Sequence, residues 1–328
     1  MRRPIPLRER GAALLAVLLL VAVTGAIAAA AMEGLRLSRA VAANATALDQ
    51  ARFYADGAEQ LALLGIDDQI GRSPTRTTLE GDWNGAVRQL ALPDGATASL
   101  RVRDGGNCFN VNSVVEGEQQ SALIRRPSGV AEFMGLIIAV GAGEADARRI
   151  AEAAADWVDT DNVPGPGGAE DEAYAQGPSP YRTANNFFAE PDELRALVGM
   201  TPELYRRLSP YLCALPTSDL SPINLNTLTP DQAPLLAMLA PGQLSLERAR
   251  GVIAGRPAGG WGSQVEFWRL DTMRSLAVPL DIQLQPQLRT RWFALDLAVR
   301  VGESEYDESA LADARIPPSQ IVWRRRSG

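Results

Sequence analysis

RERGAALLAVLLL, residues 8–20, sets a charged run directly against the start of an uncharged stretch that continues to Met32. Arg2, Arg3, Arg8 and Arg10 precede it, and the stretch from Gly11 to Met32, about 22 residues, is long enough to cross a bilayer as a helix. The arginines hold their end in the cytoplasm, so everything after Glu33 lies outside it. Three readings compete: a secretory signal cut within AIAAAAM (residues 26–32), a permanent anchor, or a leader trimmed ahead of an apolar helix that is kept. The following sequence favours keeping it. From Glu33 to Leu64 there is no Pro, and Leu35, Leu37, Val41, Leu48, Phe53, Leu61 and Leu64 are spread among polar residues in a helix-compatible pattern. The two segments together make one rod of about 50 residues, roughly 80 Å long at about 1.5 Å per residue.

Composition narrows the function. The 328 residues are 46% hydrophobic and 22% charged, ordinary for a globular chain of one large or two smaller domains. The net charge is −7 and all 32 basic residues are Arg, dispersed in a way that leaves no nucleic-acid footprint. Histidine is absent, which removes His-based acid–base catalysis, Ser-His-Asp and Cys-His nucleophile pairs, and nearly all catalytic zinc sites. Cys108 and Cys213 are either two buried thiols or, in an oxidising compartment, a disulfide. Closing that loop of about 105 residues is worth roughly 4–5 kcal/mol in the chain-entropy account.

Beyond the rod, TASLRVR (residues 97–103) reads as a strand between turn residues, and GNCFNVNSV (residues 106–114) as a strand edge. WFALDLAVRV (residues 292–301) alternates, with Phe293, Leu295, Leu297, Val299 and Val301 on one face, and residues 320–324 suggest a last strand. Between them the pattern is helical: residues 131–140, 144–158, 191–198, 201–212, 230–239, 246–254 and 264–270. Strands bracketing helices imply a small α+β body, residues 65–117 and 285–328, into which an all-α domain, residues 118–284, is inserted.

RERG followed by AALLAVLLL resembles the cleavage site of type IV pilin-like proteins, with the cut between Gly11 and Ala12 and residues 1–11 as leader. Counting from Ala12, the fifth mature residue is Ala16, where most pilins carry Glu. Lack of that Glu, together with the large helical insertion, resembles the minor pseudopilin K of type II secretion. The likeness extends through CFNVNSV, the DWVDTD region, SPYRTANNFF, INLNT and the terminal strands. The resemblance implies a pilin-like fold: a long N-terminal helix, with residues 12–64 as membrane span and rod, packed on a small antiparallel sheet. It also implies a non-enzymatic protein of the bacterial inner membrane with its globular part in the periplasm. Such a protein caps the pseudopilus, meets the I and J minor pseudopilins and the inner-membrane assembly platform, and is processed by prepilin peptidase.

DWVDTDNVPGPGGAEDEAY (residues 156–174) gathers Asp156, Asp159, Asp161, Glu170, Asp171 and Glu172 around a Pro/Gly-rich loop. Carboxylates spaced along such a loop can supply the six to eight oxygens that calcium takes, although Pro164 stands where an EF-hand needs Gly. A solvated acidic loop is the bland alternative. The resemblance implies calcium here, with Asp159, Asp161, Glu170 and Asp171 as ligands and Asn185 from the following loop. Residues 223–267, beginning INLNT, resemble a helix-hairpin-helix module, in which hairpin amides and basic residues meet DNA phosphate. Here Asp231, Glu247 and Glu266 nearly cancel Arg248, Arg250, Arg256 and Arg269, so the expectation is architecture without DNA binding. GAGEADA (residues 141–147) is read as a turn between helices, since no strand precedes it. The competing functions are a membrane-anchored DNA receptor of the competence type and a secreted calcium-dependent enzyme that loses its first 30 residues or so.

Overall fold

The structure, a computed structural model, describes residues 7–117, 122–176 and 180–327; the first six residues of the expected leader and Glu118, the expected start of the insert, lie outside them. One helix, α1 (Leu7–Arg72), carries the whole N-terminal region as a 66-residue rod. It outruns the expected end at Leu64 because GIDDQIGR (residues 65–72) holds no Pro and contributes Ile66 and Ile70 to the core. Pro74 follows two residues after its end.

The buried face of α1 is not the one its bulky residues mark. Ala51, Ala55, Ala58, Ala62, Leu63, Ile66 and Ile70 are buried, at steps of three and four residues. Leu35, Leu37, Val41, Phe53, Leu61 and Leu64 are all more than half exposed. Alanine lets the helix backbone lie close against a sheet, and the bulky stripe is left outward. Two polar contacts fix the rod lengthwise. Buried Glu59 accepts a bidentate pair from Arg324 at 2.7 and 2.6 Å, and Asp67 accepts from the Ser319 N–H at 3.0 Å and hydroxyl at 2.6 Å.

Strands β1 (Val87–Ala91) and β2 (Thr97–Asp104) precede the insert. Four two-residue strands follow: β3 (Phe109–Asn110) and β4 (Val115–Glu116) ahead of the insert, and β5 (Ile124–Arg125) and β6 (Leu212–Cys213) within it. The chain then returns through β7 (Trp292–Val301), β8 (Ser304–Asp313) and β9 (Gln320–Ser327). The body sheet is antiparallel with order β1-β2-β7-β8-β9, so strands from both sides of the insert are neighbours. Val102 faces Leu295 and Leu100 faces Leu297 across that junction. The alternation expected in β7 holds: Phe293, Leu295, Leu297 and Val299 are buried, while Val301 at the end is only partly so. β1 and β8 had no matching expectation; Arg88, Glu305, Asp307 and Glu308 interrupt their apolar pattern.

The insert packs α2 (Pro127–Ala139) on α3 (Glu144–Val158), followed by α4 (Asp171–Ala175), α5 (Pro202–Leu208), α6 (Ala233–Ala237) and α7 (Leu246–Ala254). Three further short helices, α8 (Gln264–Trp268), α9 (Asp271–Arg274) and α10 (Leu280–Leu284), lead back to the body. Residues 191–198 form a 3₁₀ turn, Pro191–Ala196, instead of an α-helix, and α5 stops at Leu208 because Pro210 follows. The core of the helices also takes in Phe109, Val111, Val114 and Val115, which precede them in the chain. Phe109 stacks on Phe133 of α2 at 4.8 Å. Gly129 permits this packing, since a Cβ there would lie 1.9 Å from the Ser113 carbonyl oxygen. Cys108 and Cys213 form a disulfide beside the parallel β3–β6 pair, with Cα atoms 5.7 Å apart.

Candidate functional site

The amphipathic helix α3 buries its alanines and carries Glu152, Asp156 and Asp159 toward its C-terminal end. That end already bears partial negative charge from free carbonyls, so carboxylates there need compensation. Two of the three have it inside the protein. Glu152 takes a bidentate pair from Arg125 at 2.6 and 2.7 Å. Asp156 accepts from the Gly165 N–H at 3.0 Å and the Ala169 N–H at 2.7 Å, folding the PGPGG loop back onto the helix. The loop must be glycine there: a Cβ on Gly168 would sit 2.0 Å from Asp156 Oδ2.

Asp159 lacks such compensation. Oxygens of Asp159, Asp161 and Glu170 lie within 4.8 Å of one another, and Asp159 Oδ1 and Glu170 Oε1 are buried without a hydrogen-bond partner. Burial first, then repulsion from Asp161, Asp156 and Glu170, pushes Asp159 up to about 7. Glu170 is raised to about 7 by burial and by Asp156, with a Thr183 hydrogen bond opposing. Asp161 is exposed and accepts from the Val163 N–H at 2.7 Å. Three convergent carboxylates, two of them with orphaned oxygens, and no sulfur or nitrogen donor form a cluster that could hold a hard metal ion.

Asp171 and Asn185 stand outside that triad, joined to it by Thr183, a residue the sequence reading did not single out. Its hydroxyl lies 3.0 Å from Asp171 Oδ1, 2.8 Å from Asn185 Oδ1 and 3.4 Å from Glu170 Oε2. One hydroxyl proton cannot serve three acceptors, so this corner too is rich in oxygen lone pairs. Asn185 is held at φ 46°, with its N–H donating to the Trp157 carbonyl at 3.0 Å. Trp157 closes the back of the cluster, meeting Tyr174 edge-on at 5.4 Å and stacking with Phe188 at 6.3 Å.

The INLNT segment lies at the seam between insert and body. Asn224, Asn226 and Thr227 are buried. Asn224 donates to the Thr77 carbonyl and the Thr290 hydroxyl, and its N–H donates to Asn107 Oδ1 at 2.8 Å. Asn226 exchanges two bonds with the Trp261 backbone at 3.1 and 2.7 Å. Asp104, at the end of β2, accepts from the Thr227 and Thr290 hydroxyls and from the Gly106 and Asn107 N–H groups. The turn between α6 and α7 leans on α2, where a Cβ at Gly135 would come 2.8 Å from Pro241 Cγ. Arg256 donates to the Leu225 and Leu228 carbonyls, and Arg248 to those of Gln243 and Thr272. Two of the four arginines of this module, and the Asn224 and Asn226 amides, are thus engaged in holding it together.

Among the described residues one helix, near the N-terminus, is long and apolar enough to cross a membrane. Models of the family described as "Type II secretion system (T2SS), protein K" match residues 107–217 and 223–290. Type II secretion system protein K of Pectobacterium carotovorum is 36% identical over 324 residues, covering 98% of this chain and 97% of its own. The Klebsiella pneumoniae protein of the same name is also 36% identical, covering 97% and 96%. Among solved structures, the GspK-GspI-GspJ complex from the type 2 secretion system of enterotoxigenic Escherichia coli contains a similar chain, with TM-score 0.73 and 28% identity over 85% of this chain and 96% of that one. With relatives of this identity matched over nearly their whole length and the rod, sheet and helical insert shared with a solved structure, the chain belongs to the type II secretion system protein K family.

Proposed function

We propose that this chain is a minor pseudopilin anchored in the bacterial inner membrane by the apolar part of α1, with its globular part in the periplasm. It caps the tip of the pseudopilus together with the I and J minor pseudopilins and assists assembly on the inner-membrane platform and protein export. The observation that carries this reading is the placement of the insert. Thr77, just beyond the end of α1, pairs with Leu288 and is held by Asn224, so the insert sits at the opposite end of the rod from the apolar segment. Bulk at that end stops further subunits from stacking, while the outward stripe of Phe53, Leu61 and Leu64 remains for neighbouring helices. Prepilin peptidase cuts between Gly11 and Ala12.

The ion at the carboxylate cluster is calcium, held by Asp159, Asp161 and Glu170, with Asp171 and Asn185 beside them around Thr183. It supplies positive charge that ties the end of α3 to the start of α4. The role is structural and no reaction runs through it. The DNA-receptor alternative is weakened, because the Asn226 amide and Arg256 are engaged internally and Asp231, Glu247 and Glu266 offset the module's arginines.

The mature N-terminus tests the anchor: mass spectrometry should find membrane-bound protein beginning at Ala12. A soluble chain beginning between Ala29 and Met32 would overturn the reading. Co-expression with the I and J pseudopilins should give a three-protein complex through an affinity tag on any one of them. Chelation should lower the melting temperature, with excess calcium restoring it; an unchanged melt removes the ion.

A further inference from the structure

Glu132 lies on α2, buried in the insert far along the chain from the acidic loop. Its one hydrogen bond among the described residues comes from Gln285, whose Nε2 donates to Glu132 Oε2 at 3.2 Å. Gln285 is also buried and follows directly on α10, where the chain leaves the insert. The second oxygen of each side chain, Glu132 Oε1 and Gln285 Oε1, is buried with no partner.

A carboxylic acid and a primary amide can form a ring of two hydrogen bonds. The amide N–H donates to the acid carbonyl, and the acid O–H donates to the amide oxygen. One arm of that ring is present here. The two oxygens left over are the pair a proton would join. We propose that Glu132 and Gln285 form a proton-held latch, tying the first helix of the insert to the segment that returns to the body.

The charged groups around the pair fit a neutral carboxyl. Asp281 of α10 opposes a negative charge on Glu132. Arg126, at the start of α2, favours one but is engaged elsewhere, donating to Glu116 at 3.3 Å and to the Ser218 carbonyl at 2.6 Å. Burial, with Asp281 adding and Gln285 and Arg126 opposing, raises the Glu132 carboxyl to about 8.

The latch matters because of what it adjoins. Gln287, two residues on, donates to the Ile223 carbonyl at 2.6 Å and accepts from the Leu225 N–H at 2.9 Å, and Leu288 accepts from Thr77. Loosening Gln285 therefore loosens the seam that sets the insert on the body. The folded carboxyl titrates above the 4.5 of an ordinary glutamate. The closed latch thus keeps a proton that the open one releases, and opening becomes easier by about tenfold per pH unit across that window, levelling off above it.

Hydrogen–deuterium exchange on the full chain in detergent micelles tests this, comparing wild type with Glu132→Gln, which keeps both arms of the ring without a titrating proton. The ratio of wild-type to variant exchange at residues 285–288 should rise at least about tenfold between about pH 5.5 and about pH 7.5. A constant ratio overturns the latch. Should Glu132→Gln fail to fold, the same residues are compared with β7 amides within the wild-type chain. Their relative exchange should then rise with pH, and parallel exchange overturns the proposal.

Discussion

The buried polar side chains at the seam and those at the end of α3 behave in opposite ways. At the seam, Asp104, Asn107, Asn224, Asn226, Thr227 and Thr290 point donors at acceptors throughout. At the end of α3, Asp159 and Glu170 bury oxygens that no donor meets. A satisfied network holds a fold together by itself, whereas an unsatisfied cluster of one charge sign is incomplete without something from outside. The seam mixes one acid with amides and hydroxyls, so each acceptor finds a donor; the other cluster is carboxylate alone.

The contrast makes removal of a carboxylate costly in one place and favourable in the other. The largest expected effect is Asp104→Ala. It strands two hydroxyls and two backbone N–H groups in the interior and should lower unfolding stability by about 3–5 kcal/mol. Urea unfolding of the chain in micelles measures it. A loss under about 1 kcal/mol would mean the seam is not the closed network described.

The disulfide closes the same seam from its other side, next to Leu215, Trp292 and Leu311. Replacing Cys108 and Cys213 together by Ala should cost about 2–4 kcal/mol. The loss should couple non-additively with Asp104→Ala, because both changes free the entry into the insert. Additive losses would separate the two.

Gly168→Ala sharpens the other side of the comparison. The new methyl would collide with Asp156 Oδ2, so the loop must shift, at about 1–3 kcal/mol. Calcium binding, followed by titration calorimetry, should weaken at least about tenfold because Glu170 follows this loop directly. Unaltered affinity would show that the loop does not position the carboxylates.

Much of this was legible in the sequence, and the failures share a cause. The helix Glu144–Val158 and the strand Trp292–Val301 match expectation residue for residue, because each carries an uninterrupted period and clear ends. The rod was recognised, but the pattern did not say which of its faces is buried. Large apolar residues usually mark the core, and here they mark a face without an internal partner while alanines line the sheet. Strand β8 was missed since a strand with one solvated, charged face has little apolar signal. At the site, Asp159, Asp161 and Glu170 were singled out as charges on a loop. Thr183 was not, since a lone threonine shows nothing until folding brings Asp171 and Asn185 to its hydroxyl. Nor did spacing alone tell that Asp156 would be consumed by loop amides.

The smallest effect has the opposite sign and tests the comparison most directly. In chelator-treated protein Asp159 is buried, near two further carboxylates and without a donor at Oδ1. Asp159→Asn removes a charge that burial disfavours and places a donor among acceptors. It should therefore stabilise the ion-free chain by about 1 kcal/mol. The same substitution deletes an anionic ligand, so the stabilisation that calcium gives the wild type should largely vanish. Two melting curves per protein, with chelator and with calcium, read both effects. The crossing is the prediction: the variant melts higher without the ion and lower with it. A variant that melts lower under both conditions would place Asp159 with Asp104, as a group whose partners are all within the chain.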